Sequence, residues 1–131
     1  MPASQNFVMA KGKNVSAAIT KKRFVKLDTA AADGETVKQC DTAGEKAFGV
    51  ALFSVSAAEI LKGKGASVFV DGRAIVEASA ALAVGAVVTT DNVGRAAAAA
   101  TGNWILGIVD EPASGAGAEC SVLLSAGGGK F

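Results

Sequence analysis

The chain contains no histidine. That removes the commonest general base and the commonest neutral metal ligand. It also excludes Ser-His-Asp and Cys-His arrangements. Cys40 and Cys120 stand eighty residues apart. Two thiols make neither a zinc site nor a disulfide framework, and both fall in strand-like runs, so they read as buried free thiols. There is no Gly-x-x-x-x-Gly-Lys-Ser/Thr sequence, and Gly63-Lys64-Gly65 lacks the length and context of a phosphate loop. Asp28, Asp33, Asp41, Asp71, Asp91 and Asp110 lie at the ends of strand-like runs, where carboxylates usually cap backbone groups. No catalytic residue, metal ligand or cofactor site is assigned. The chain reads as a non-enzyme, with an unusual carboxylate site kept only as a remainder.

Charge gives one further lead. Lys11, Lys13, Lys21, Lys22, Arg23 and Lys26, six of the thirteen basic residues, all precede the first acidic one, Asp28. The rest of the chain holds seven basic and twelve acidic residues, although the whole is only +1. A basic start on an acidic body marks the opening segment as separate in task. Lys21-Lys22-Arg23 beside Phe24 resembles a single-strand-binding arrangement. The near-neutral total and the absence of further basic–aromatic interleaving argue against nucleic acid as a partner. No targeting segment is expected. The longest uncharged apolar stretches, 78–90 and 96–109, fall short of the ~18 residues of a spanning helix. Synthesis in the cytoplasm and no membrane partner are therefore expected.

Positioning elements come next. With 131 residues, 50% apolar and 19% charged, the chain fits one globular domain. Residues 24–27, 37–40, 48–53, 67–70, 74–77, 87–90, 104–109 and 121–125 read as short strands bounded by Gly, Asp or Asn. Asp71-Gly72 is the strongest hairpin signal, and 91–94 marks another reversal. Strands at this spacing argue for a small β-barrel or β-sandwich. Ser56-Ala57-Ala58-Glu59 has capping-box form ahead of Ile60 and Leu61, so at most one short helix is expected. The expected organisation is an extended N-terminal arm at 1–20, one β domain at 21–126, and a flexible tail at 127–131 that begins with Gly127-Gly128-Gly129.

The strands also repeat. Residues 44–50 resemble 102–108, with Gly49 and Gly107 standing 58 positions apart. Upstream, 24–28 resembles 87–91; downstream, 65–70 resembles 119–124. Loops vary while strands persist, so two related strand units are expected. The repeat resolves the alanine run 96–100. Its counterpart at 36–40 reads as a strand, so the run is expected to be extended, although alanine is the best helix former. Several strands are apolar on both sides: Val68 and Val70 oppose Phe69, and Leu106 and Ile108 oppose Ile105 and Val109. A sheet with one wet face should be polar there. Either a second layer or another subunit must cover these faces. Phe53, Phe69, Trp104 and Ile105 are the candidates for self-association.

The wording Gly-Ala-Ser-Val-Phe-Val-Asp-Gly-Arg-Ala-Ile-Val at 65–76, Gly-Ala-Val-Val-Thr-Thr-Asp-Asn-Val-Gly-Arg at 85–95 and Gly-Asn-Trp-Ile-Leu-Gly-Ile at 102–108 resembles the head decoration, or capsid cement, proteins of tailed bacteriophages. The closing Cys120-Ser121-Val122-Leu123-Leu124 fits their last strand. The resemblance covers roughly Arg23 to Ser125 and rests on glycines and β-branched residues. It implies a structural virion protein on the outer surface of the capsid, where it stabilises the major capsid protein lattice. It further implies a homotrimer, with an arm lying across the shell. Phe7, Val8 and Met9 would insert there, and Lys11 and Lys13 would pair with capsid carboxylates. The alternative is a ligand-binding β module of the carbohydrate-binding kind, although such modules present Trp or Tyr platforms and this chain has one Trp and no Tyr.

Overall fold

The computed structural model describes residues 9–124 and Gly129. The first five strands are β1 (Met9–Val15), β2 (Phe24–Leu27), β3 (Thr36–Gln39), β4 (Gly49–Ala51) and β5 (Ala66–Asp71). They close into a barrel in the order β1-β3-β2-β4-β5. The second five are β6 (Arg73–Glu77), β7 (Val87–Thr90), β8 (Ala96–Ala98), β9 (Gly107–Glu111) and β10 (Glu119–Leu124). They form a sheet in the order β6-β10-β9-β7-β8. The one helix among the described residues, α1 (Ala57–Leu61), carries the expected capping box between Ser56 and Glu59.

The two halves repeat one topology. Reading β1 as β6, β2 as β7, β3 as β8, β4 as β9 and β5 as β10 reproduces the neighbours of both sheets. The parallel β1–β3 pair that closes the barrel reappears as a single parallel bridge, Ala78 to Ala96. Even the isolated antiparallel bridges match: Ile19 to Val55 in one half and Leu82 to Ala113 in the other. Ala96–Ala98 is a strand, as the repeat requires, and Ala96 is fully buried at that bridge.

Gly49 and Gly107 show why the repeat keeps a glycine. A Cβ on Gly49 would run into the Phe69 carbonyl oxygen and Val68 Cγ1. On Gly107 it would run into the Leu123 carbonyl oxygen and Val122 Cγ1. Both glycines start a strand that presses against its neighbour's backbone.

Two expectations change. Asp71-Gly72 does not make a hairpin, because β5 pairs with β1 and β4 while β6 pairs with β10. With both edges of β5 taken, the chain leaves one unit at Gly72 (φ 97°) and enters the next. A tight hairpin forms instead at 91–95, where Asp91 Oδ1 accepts the amide hydrogens of Val93 and Arg95. The arm at 1–20 also shrinks. Met9–Val15 is the strand that closes the barrel, and Ile19 is buried in its interior. Removing all twenty residues would open the barrel.

The core has two parts. The barrel interior holds Val15, Ile19, Val25, Val37, Ala51, Val55, Ala66 and Val68. The second cluster repeats those positions with Val88, Val109 and Val122 among others. It also takes in Phe24, Cys40 and Val50, which the first unit contributes from outside the barrel interior. β2 and β4 are thus apolar on both faces because one face fills the barrel and the other packs against the second unit. We expect Gly49→Ala and Gly107→Ala each to lower stability by about 1–3 kcal/mol through overpacking. Chemical denaturation of the two variants checks this.

Candidate interaction surfaces

Many of the ionisable groups are committed to structure. Asp33 accepts from the amides of Glu35 and Thr36, and these hydrogen bonds hold its carboxyl below the usual range. Asp28 is lowered mainly by a hydrogen bond from Ser16. Asp41 is lowered by its bond from Lys26, 2.7 Å away. Glu59 sits at about 2, first through Lys64 and then through its capping bond to the Ser56 amide. Glu111 is lowered by Ser121 and Arg73. Among the described residues no group of three or more metal-ligating side chains is gathered. Among them, too, no helix is long and apolar enough to cross a membrane.

Both cysteines are free and buried. Burial pushes the Cys40 thiol up to about 12, and pushes Cys120 upward too.

Polar contacts tie the two units together. Arg23 Nη2 reaches both Glu77 carboxylate oxygens at 3.3 Å, and Arg23 Nη1 donates to the Val93 carbonyl at 2.9 Å. The amide of Phe24 donates to Gly94, that of Gly44 to Thr90, and that of Trp104 to Gly44. The basic segment Lys22-Arg23, which looked available for a partner, is therefore spent here, with Lys22 bonded to Glu119.

The expected contact residues separate. Phe7 and Val8 lie outside the described residues. Met9 and Lys11 stand in β1, opposite Asp71 and Val68. Lys13 is taken up by its own chain. Its side chain is only 10% exposed, its Nζ donates to the Gly34 carbonyl at 2.7 Å, and it lies 5.2 Å from the Phe48 ring centre. Register sets Lys13 opposite Ala66, on the barrel's inner side, so the stem packs inward and the ammonium leaves at the end. Phe69 and Trp104 pack on the cluster between the units, with Lys46 5.1 Å over the Trp104 ring. Ile105 is half-buried, and its amide donates to the Gly129 carbonyl in the tail. Phe53 is 62% exposed and belongs to neither cluster.

Sequence reading missed Ile75, Ile108 and Leu123, each about half exposed at 50%, 48% and 50%. Ile108 had been grouped with Leu106, but only Ile108 faces out. Strict alternation was the available signal, and it breaks where β9 begins at Gly107. A groove of about 570 Å³ also opens beside Lys26, Asp28, Lys38, Glu45 and Phe48. Three of its charged groups are already paired: Lys26 bonds Asp41 and Glu45, and Lys38 bonds Asp41.

No protein-family model matches the chain, and no curated protein matches it either. A solved structure does match: the head fiber gp8.5 N base of bacteriophage phi29. The TM-score is 0.67 over 90% of this chain and 94% of that one, at 17% sequence identity. The fold is that of a phage head-fiber base. It agrees with the mainly β architecture expected from the strand pattern.

Two outcomes follow for the ionisable groups. A thiol reagent should label neither Cys40 nor Cys120 in the native protein near pH 8, and should label both in denaturant. Equal labelling in both states would contradict their burial. Carboxyls lowered in the fold stabilise it above their ordinary pKa values, and that contribution is lost as pH falls through the lowered ones. Melting temperature should therefore fall steadily from about pH 5 to about pH 2, as calorimetry can follow.

Proposed function

We propose that this chain is a structural protein of a phage head, a decoration protein that binds the outside of the shell and braces its major capsid subunits. The observation that carries this reading is the fold shared with a phage head-fiber base over nearly the whole chain. Two features support it. Many of the carboxylates and lysines are engaged in turns and ion pairs, as suits a scaffold. The second unit also leaves an apolar outer face open, as a protein that works by assembly requires.

The shell contact is assigned to the start of the chain: Phe7 and Val8, then Met9 and Lys11 as the strand begins. Lys13 is excluded because its ammonium is bound at home. Repetition over the lattice turns a weak single contact into firm attachment, and binding to the mature shell alone stabilises that state. Self-association, as a trimer in the decoration family, belongs to the same reading.

Purified protein mixed with undecorated, expanded heads should bind saturably and raise the temperature at which the heads break open. Deletion of residues 1–8 should weaken that binding at least about tenfold, which corresponds to ~1.4 kcal/mol, and leave the melting temperature of the free protein unchanged. Absence of saturable binding by the full chain would sink the reading.

A further inference from the structure

The two units carry the same outward row, with opposite fates. In the first unit Phe69 pairs with Val50 and Val50 with Phe24, so the three form one line across β5, β4 and β2. In the second, Leu123 pairs with Ile108 and Ile108 with Val87, one line across β10, β9 and β7. The registers correspond residue for residue. Phe24 and Val50 are each 1% exposed, whereas Ile108 and Leu123 stand about half open. Ile75 adds a further exposed apolar side chain on β6.

The first row is covered by the chain itself. Phe24, Val50 and Phe69 belong to one cluster with Leu106, Trp104 and Leu124 of the second unit. Phe24, Leu106 and Leu124 also line one narrow crevice. The covering material is thus the other copy of the duplicated unit. No third unit follows β10 within the described residues to cover the second row.

We propose that the outward face of the second unit, centred on Ile108 and Leu123 with Val87 and Ile75 beside them, is an interface for a second copy of this chain. The duplication names the occupant, since this face of the unit already meets another unit of the same origin inside each chain. The border of the row fits that use. Arg73, paired with Leu123 across the strands, bridges to Asp110 at 2.8 Å and Glu111 at 2.9 Å. Arg73 engages both carboxylates and the trio keeps one net negative charge at the rim, so covering the row leaves none of the three without a partner. The inference deepens the self-association part of the reading above; the shell contact, placed at the start of the chain, is measured separately.

Sedimentation equilibrium of the full chain tests it. The wild type should show a mass above 12.9 kDa that rises across a roughly hundredfold concentration series. The double variant Ile108→Glu/Leu123→Glu should raise the dissociation constant at least about tenfold with an unchanged melting temperature. Should that pair unfold the protein, Ile108→Ser/Leu123→Ser serves instead. Phe53→Glu, on an exposed side chain in neither cluster, should leave association intact. A wild type that stays monomeric throughout overturns the proposal, as does a double variant that associates like the wild type. Loss of association in Phe53→Glu alone would move the interface elsewhere. A double variant that still self-associates but no longer binds heads would give the face to the shell protein, and that also overturns the proposal.

Discussion

Burial of the row Phe24–Val50–Phe69 between the two units is the contact on which the molecule depends. The chain has few large apolar side chains: six Phe, one Trp and no Tyr. The barrel interior is lined mostly by Val, Ile and Ala, too small a store to make a robust core alone. Phe24 and Val50 face away from that interior and are nonetheless almost fully buried. Each such side chain is worth about 1.5–3 kcal/mol when taken out of water. The second unit therefore acts as the lid that makes the first unit's outer surface part of a core. Arg23, Glu77 and the Phe24 amide fix its position.

Much of this was legible in the residues. Strand runs, the capping box, the extended alanine run and the spacing of Gly49 and Gly107 all came from local pattern and from the repeat. The repeat was legible because its glycines mark close backbone approaches that no other residue allows. Its first element was not. β1 reads Met-Ala-Lys-Gly-Lys-Asn-Val, and Lys13 occupies a position that Val76 fills in the second unit. A lysine at an inward position hides the apolar alternation that betrays a strand. Only the fold shows that its ammonium escapes at the barrel end. Segment 9–15 therefore read as a basic arm.

Asp71-Gly72 misled for a related reason. Local turn chemistry specifies a change of direction, not which neighbours the flanking strands choose. β5 already had two partners, so the turn became the joint between duplicates. The apolar second faces are legible in the residues, and they call for cover by a second layer or by a subunit. The structure gives a different answer in each half: a layer for the first unit, an open face for the second. Sequence could not divide them, because docking of one unit on another is a tertiary choice among surfaces that are all apolar.

The joint at Gly72 also orders events during synthesis. All five barrel strands lie in one contiguous stretch, so they emerge from the ribosome ahead of the second unit. The second unit then takes about fifty more residues, or roughly 3–10 s at ordinary elongation rates. Through that interval the barrel can close, but Phe24, Val50 and Phe69 stay wet. The half-made protein is a finished barrel with a sticky side, and its most dangerous encounter is with another nascent chain at the same stage.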